Sequence, residues 1–348
     1  MFANFWGNAH AVRALERMAG SGRIPQTLLF AGPEGVGKAT LARRFAALLI
    51  GSGERIERDD LSLAGNCDMI QAREKWTAEK RNDDPLLFAS HSDFVTFAPD
   101  GPLRQLSLPQ MRLLKERAPF KPLAGSRRIF LIDHVDRAGD NATNSLLKIL
   151  EEPPDHLLLI MTAENPYDLL ATIRSRSVIL SLSPLQPEEM QQFAAARTLD
   201  QAEKRIALSG GSPGVASSLD LGLHEKRRAA MHAMLKSAVG LASFAAWVPF
   251  SEALGRSKNE KLEFYLKLLY DLLRDVMILR EGGRDIRNFD LRRDLEAVAA
   301  RVDGPWIVRA VKKTDEVAML LRRNIQKTIA LDDWILSLRV DAAVKGKA

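Results

Sequence analysis

Five short apolar runs punctuate the first half of the chain, at residues 27–31, 93–98, 128–133, 157–162 and 178–182. Runs of this length with few polar interruptions suit strands buried on both faces, as a parallel sheet requires. The stretches between them carry helical spacing. Leu41, Phe45, Leu48 and Leu49 recur at helical intervals after the first run. Ser107 and Pro109 open a helix through Ala118, a hydroxyl cap followed by a residue that tolerates a helix start. Another helix runs from about Asp140 to Glu152 and is stopped by Pro153 and Pro154, and a third ends near Arg174 to Arg176. This alternation predicts an α/β domain with a doubly wound parallel sheet, whose ligand sits at the carboxyl ends of the strands. Residues 51–91 break the rhythm: rich in charge and poor in apolar periodicity, they predict an insertion or loop with local helix.

Beyond Pro184 the strand pattern fades. Residues 185–220 predict short helices, one opened by Pro187, Glu188 and Glu189 and another broken by Gly210 to Gly214. From about His224 onward the pattern is long helices, among them Glu260 to Arg280 and Pro305 to Lys327. Leu262, Leu266, Leu269, Leu272 and Leu273 form a stripe on one helical face, which predicts core packing first and a subunit interface second. No internal repeat or low-complexity tract is visible.

Composition narrows the class. A chain of 348 residues, 46% of them hydrophobic, supports two or three domains with real cores and excludes wholesale disorder. Its single cysteine, Cys67, can form neither an internal disulfide nor a cysteine-rich zinc site, and a lone thiol fits a reducing compartment. With no basic stretch leading into an apolar core at the amino terminus, and no apolar run of bilayer length, the expected location is the cytoplasm. The net charge of +6 permits contact with nucleic acid without demanding it. Clusters such as Lys226, Arg227 and Arg228, or Arg322 and Arg323, fit solvated helix faces better than DNA contacts.

Candidate chemistry begins in the loop after the first run. Gly32 to Lys38 has the G-x-x-x-x-G-K spacing, in which Gly32, Gly35 and Gly37 let backbone N–H groups curl around a polyphosphate while Lys38 meets its outer oxygens. The next residue is Ala39, so the hydroxyl that holds Mg²⁺ in such loops is missing. Thr40 stands one position late, turned by about 100° on a helix of roughly 3.6 residues per turn. Asp133 ends the 128–133 run, where a nucleotide-hydrolysing domain places a carboxylate for Mg²⁺, although a strand-end turn residue is the plainer alternative. His134 follows where many such enzymes carry a water-orienting Glu, and Asp136 lies two further on. These residues predict a degenerate nucleotide site of Gly32, Gly35, Gly37, Lys38, Thr40 and Asp133. They leave ATP or ADP binding open and place hydrolysis in doubt.

The segments GPEGVGKATLA, IFLIDHVDRAG, NATNSLLKILEEPP and ENPYDLLATIRSRSVILSLSPL, in that order, resemble the delta prime family of bacterial DNA polymerase III clamp-loader subunits, of the AAA+ class. NSLLKILEEPP, residues 144–154, is the most specific of them. The resemblance implies a parallel-sheet P-loop AAA+ domain at 1–184, a small helical lid at 185–222 and an all-α collar at 223–345 that closes a five-subunit ring. It implies as partners the delta and gamma/tau subunits, the sliding clamp and primer-template DNA, with no membrane. In this family a Ser-Arg-Cys signature presents its arginine to the ATP of the neighbouring subunit. Here it reads Ser175-Arg176-Ser177, which makes Arg176 the expected trans arginine, while a helix-end role through the dipole remains the alternative. Three departures stand out. The four zinc cysteines of many relatives are absent from 51–91, so no zinc and no other metal is expected there. Ser209 to Gly214 lacks the lid's nucleotide-sensing arginine, and Ala39 and His134 remove two groups needed for hydrolysis. Thr162 stands at a strand end where such folds carry a polar sensor, although a strand-end threonine is common, and the resemblance turns Arg112 and Lys115 toward a central DNA chamber, with a solvated helix face as the equal alternative. The expectation is a subunit not catalytic on its own, supporting ATP-driven clamp loading in replication. An active motor resembling gamma/tau is the alternative.

Overall fold

The computed structural model describes residues 2, 4–256, 261–321 and 326–339, and the Arg322–Arg323 cluster lies outside them. The chain divides into two compact units, Met1–Ala202 with Gly211–Ser217, and Glu203–Gly210 with Ser218–Ala348.

The first unit holds a six-stranded sheet. In chain order it contains α1 (Ala9–Ser21), β1 (Thr27–Ala31), α2 (Lys38–Ile50), α3 (Gly53–Glu57), α4 (Ala64–Arg73), α5 (Ala78–Asp83), β2 (Phe88–His91), β3 (Phe94–Phe97), α6 (Leu108–Arg117), β4 (Arg128–Ile132), α7 (Asp140–Glu151), β5 (Leu157–Ala163), α8 (Ala171–Ser175), β6 (Val178–Ser181) and α9 (Pro187–Ala196). Then come α10 (Ala202–Ser209), which belongs almost wholly to the second unit, and α11 (Pro213–Ser218), which returns to the first. The strand order is β2-β3-β4-β5-β1-β6, with β2 antiparallel to β3 and every other pairing parallel.

The five expected strands are all present; strand alternation explains the near-continuous apolar sequences of β1, β3, β4 and β5, whereas β6, at the sheet edge, is largely exposed, with Val178 at 41% and Ile179 at 38%. Leu29, Phe130, Ile132, Leu159 and Met161 point to one face, against Met111 and Leu114 of α6 and Leu146 and Ile149 of α7. Leu28, Phe30, Ile129, Leu131, Leu158 and Ile160 point to the other, against Leu15 of α1 and Leu41 and Phe45 of α2. Both faces are therefore covered, as parallel strands need. The start of α6 follows the sequence reading in detail: Ser107 caps it in a reciprocal capping box with Gln110, and Pro109 lies in the first turn.

Three readings need correction. The single helix expected over Pro305 to Lys327 is described as Gly304–Leu321, and Lys327 opens a separate helix, Lys327–Ser337, with Gln326 extended before it. Residues 51–91 are more than an insertion with local helix, because they also supply β2, the antiparallel edge strand. Arg228, assigned to a solvated face, is 6% exposed and is held by Asp290 and Asn288. Its neighbours fit a helix surface better, Lys226 being exposed and Arg227 lying over the Phe264 ring.

Ion pairs organise the 51–91 segment. Arg73, 4% exposed, grips both carboxylate oxygens of Asp100 at 2.8–3.1 Å and reaches Asp84 at 3.1 Å. Trp76 stacks under the Arg73 guanidinium, whose centre lies 4.4 Å from the ring. Asp93 is wholly buried and accepts N–H bonds from Leu123, Ala124 and Gly125 at 2.7–3.2 Å. Cys67 is half-buried, its thiol donating to the Leu61 carbonyl at 3.0 Å. Among the described residues no cluster of three or more His, Cys, Asp and Glu has metal-binding geometry.

The second unit is helical: α10, α12 (Leu221–Ala238), α13 (Val248–Arg256), α14 (Leu262–Arg280), α15 (Arg292–Ala299), α16 (Gly304–Leu321) and α17 (Lys327–Ser337). The leucine stripe on α14 is buried at Leu262, Leu266, Leu269, Leu272 and Leu273, packed with Met231, Met234, Trp306 and Trp334. The core reading of that stripe is the one realised. Among the described residues no helix is long and apolar enough to cross a membrane.

Candidate nucleotide site and its surroundings

The phosphate loop leaves the carboxyl end of β1, and the Gly32 N–H still bonds to the Ala163 carbonyl of β5 at 3.1 Å. Gly37 then caps α2. The sheet thus brings the loop to the edge where Asp133 follows β4 and Thr162 closes β5. Asp133 is 7% exposed and accepts the Thr162 hydroxyl at 2.6 Å, while that hydroxyl accepts the His134 N–H at 2.8 Å. Thr162 therefore ties together the two residues that follow β4. His134 adopts a left-handed backbone, φ 52°, and its Nδ1 stands 4.0 Å from Asp136 Oδ1. Both atoms are buried without a hydrogen-bond partner.

Lys38 is 6% exposed and turns back on its own loop, donating to the carbonyls of Gly32 at 2.6 Å and Pro33 at 2.8 Å. Burial pushes its ammonium below the ordinary lysine value, and the nearby carboxylates Glu164, Asp133, Asp136 and Glu34 act in the opposite sense. Thr40 is half-buried on α2, beside the methyl of Ala39 where the usual hydroxyl would be.

The middle of the loop is covered. Gly214 N–H, in the first turn of α11, donates to the Gly35 carbonyl at 2.8 Å. A Cβ on Gly35, whose φ is +75°, would lie 2.8 Å from both Val215 N and Val215 Cγ2, and a Cβ on Gly214 would lie 2.9 Å from Gly35 O. Only two glycines allow the backbones this approach. On the other side, the Phe5 ring lies against Gly37. Sequence reasoning had noted the missing arginine near Gly214 but not this contact, nor Phe5 and Glu164. A pairing between positions 35 and 214 has no local signature.

Arg176 is at the other end of the sheet. It caps the carboxyl end of α8 just before β6, and Val178 stands opposite Leu28 near the start of β1. At roughly 3.3 Å per residue, Arg176 and Gly32 are separated along the strands by on the order of 15–20 Å. Its guanidinium donates to the Thr172 carbonyl at 3.3 Å and meets Glu151 at 3.4 Å, with 36% of the side chain exposed. The Thr172 contact is what a helix-end role requires, and the exposed portion is what a partner requires. Arg112 is exposed on α6 and Lys115 half-buried.

A mostly parallel sheet with a glycine-rich loop and lysine after its first strand, a carboxylate after β4 and a hydroxyl at the end of β5 defines a P-loop domain. Residues 7–186 match the family described as DNA polymerase III, delta subunit, and the chain belongs to that family. It is 26% identical over 330 residues to the DNA polymerase III subunit delta' of Bacillus subtilis, covering 91% of this chain and 92% of the relative. Similarity to the delta' subunit of Pseudomonas aeruginosa is 30% identity over 217 residues, 61% of each chain. The tau/gamma subunit of Haemophilus influenzae is 27% identical over 194 residues, 56% of this chain but only 25% of that longer protein.

Proposed function

We propose that this chain is a largely non-hydrolytic stator of the DNA polymerase III clamp loader, in place among delta and gamma/tau subunits of a hetero-pentamer. In that ring it supports ATP-driven loading of the sliding clamp onto primer-template DNA and donates Arg176 to the ATP site of its neighbour. The observation that carries this reading is the closed phosphate loop. Lys38 is engaged by Gly32 and Pro33, and Gly35 is covered by Gly214 and Val215. A triphosphate would have to displace these contacts and face Glu34, Asp133, Asp136 and Glu164 without the hydroxyl that anchors a compensating Mg²⁺. His134 supplies no carboxylate to orient an attacking water.

The position of Arg176 supports the trans role. It stands too far from its own loop to serve it, and its exposed guanidinium is of the right chemistry to stabilise charge on a phosphoryl group brought by another subunit. In this reading Glu151 holds the guanidinium until the partner's phosphates replace it.

The likeness to tau/gamma subunits favours a second reading, an active motor. One experiment separates them: clamp- and DNA-stimulated ATP hydrolysis by a reconstituted loader carrying either the wild-type chain or Arg176→Ala, beside the isolated chain. The stator reading expects no turnover by the isolated chain and a loss of ~10³-fold or more at the site that Arg176 faces. Robust turnover by the isolated chain selects the motor, and full activity of the variant loader reduces Arg176 to a helix-end residue.

A further inference from the structure

A cavity of about 370 Å³ opens between α13 and α17 in the helical unit, lined by Phe244, Val248, Ser251, Glu252, Thr328 and Asp332. Its walls divide by chemistry. Phe244 and Val248 offer apolar surface, while Asp332 and Glu252 offer carboxylates and Ser251 and Thr328 hydroxyls. The Asp332 carboxylate is fixed rather than free to swing. Its Oδ1 accepts the indole N–H of Trp247 at 2.6 Å and the Ser251 hydroxyl at 3.3 Å. Trp247 is itself wholly buried and stacks on Phe250 with ring centroids 6.3 Å apart. Both donors to Asp332 are neutral, so they orient the carboxylate without cancelling its charge. Glu252 adds a second carboxylate, more than half exposed and paired with Arg256 one turn along α13 at 3.0 Å, so Asp332 is the anion that the cavity holds in place.

An anchored carboxylate beside an aromatic ring and an aliphatic wall matches a cation on an apolar stem. We propose that this cavity receives a lysine or arginine side chain from another subunit of the assembly, its stem along Phe244 and Val248 and its charge on Asp332. The chemistry of the cavity stands on its own, while the origin of the side chain rests on the clamp-loader reading.

The substitution Asp332→Asn isolates the charge, because Asn Oδ1 still accepts from Trp247 and Ser251. The first test titrates the isotope-labelled full chain with N-acetyl-arginine-N-methylamide and follows the Trp247 indole N–H signal by NMR. The expected result is a saturable shift that Asp332→Asn weakens about tenfold, equivalent to about 1.4 kcal/mol. The uncharged N-acetyl-citrulline-N-methylamide should leave the signal in place. A non-saturable shift, an equal response from the neutral analogue, or an unchanged titration of Asp332→Asn overturns the proposal. The second test measures the affinity of Asp332→Asn and of Arg176→Ala chains for the remaining loader subunits at two salt concentrations. Docking predicts weaker, less salt-dependent assembly for Asp332→Asn. Unaltered assembly of that variant, with the arginine titration positive, would make the cavity a site for free cationic metabolites and overturn docking. Failure of the wild-type chain to assemble with any loader subunit overturns the stator reading and docking together, while leaving the titration to decide the cavity's chemistry.

Discussion

Replacing Thr162 by Val removes one oxygen from the centre of the candidate site and nearly preserves side-chain shape. In the folded protein that oxygen donates to the Asp133 carboxylate at 2.6 Å and accepts the His134 N–H at 2.8 Å, and Thr162 is wholly buried. The first bond is charge-assisted and contributes about 1.5–3 kcal/mol, and the stranded His134 N–H adds a desolvation cost of about 1–3 kcal/mol. The extra buried methyl returns about 1 kcal/mol, so the net loss should be about 1.5–5 kcal/mol. Thr162→Ser keeps the oxygen and loses only the methyl, at about 1 kcal/mol. Because the chain has two compact units, a single global unfolding curve is the wrong assay. Hydrogen exchange of β4 and β5 amides, read by mass spectrometry across a urea series, reports the sheet unit alone. Thr162→Val should lower the opening free energy of these strands well below that of Thr162→Ser. Equal protection in the two variants would refute the argument that this hydroxyl joins the ends of β4 and β5.

Two further outcomes follow from other parts of the molecule. Arg73→Met should destabilise the sheet unit by about 3–5 kcal/mol, because it leaves the buried Asp100 carboxylate unpaired; the double variant Arg73→Met with Asp100→Leu should recover much of that loss, and a double variant as unstable as the single one contradicts the charge-pairing account. His224 is held at about 4, chiefly by burial and then by Arg228 and Lys204, against an ordinary value of 6.5. The unfolded chain therefore binds a proton that the folded one refuses between those values, so its contribution is intact above pH 6.5 and is lost progressively as pH falls toward 4. Since the ring is partly exposed, screening reduces the effect to about 1–2 kcal/mol. Urea midpoints of the helical unit at pH 7 and 4.5 should fall less for His224→Gln than for wild type, and parallel falls would show that this histidine does not contribute.

The parts of the fold that could be read from the sequence were those whose reasons are local. TLLFA and RIFLI are buried on every residue, and their apolar runs announce it. Ser107, Pro109 and Gln110 lie within one turn and specify the start of α6. By contrast β2, FASH, has a buried residue only at each end, and its pairing with Phe94 and Thr96 is what makes it a strand. The helix α1 is less plainly announced: Ala11, Leu15 and Met18 carry helical spacing, but no side chain caps its start. Arg228 looked solvated because its partners Asn288 and Asp290 arrive from about 60 residues away. At the site, the loop, Lys38 and Asp133 were legible from spacing and strand ends. The backbone contact of Gly35 with Gly214 depends on the return of α11 to the sheet unit and could not be seen in either segment alone.

The chain passes between its two units three times, after residues 202, 210 and 217. No single cut can part them cleanly. A fragment ending at Ala202 forfeits the piece that lies on Gly35, and one extended to Ser217 carries a stray helix of the other unit. A recombination event with one crossover in this region would thus deliver a sheet unit with an uncovered phosphate loop or a helical unit without α10. Such a lineage would change by point substitution within a fixed two-part frame more readily than by exchange of modules.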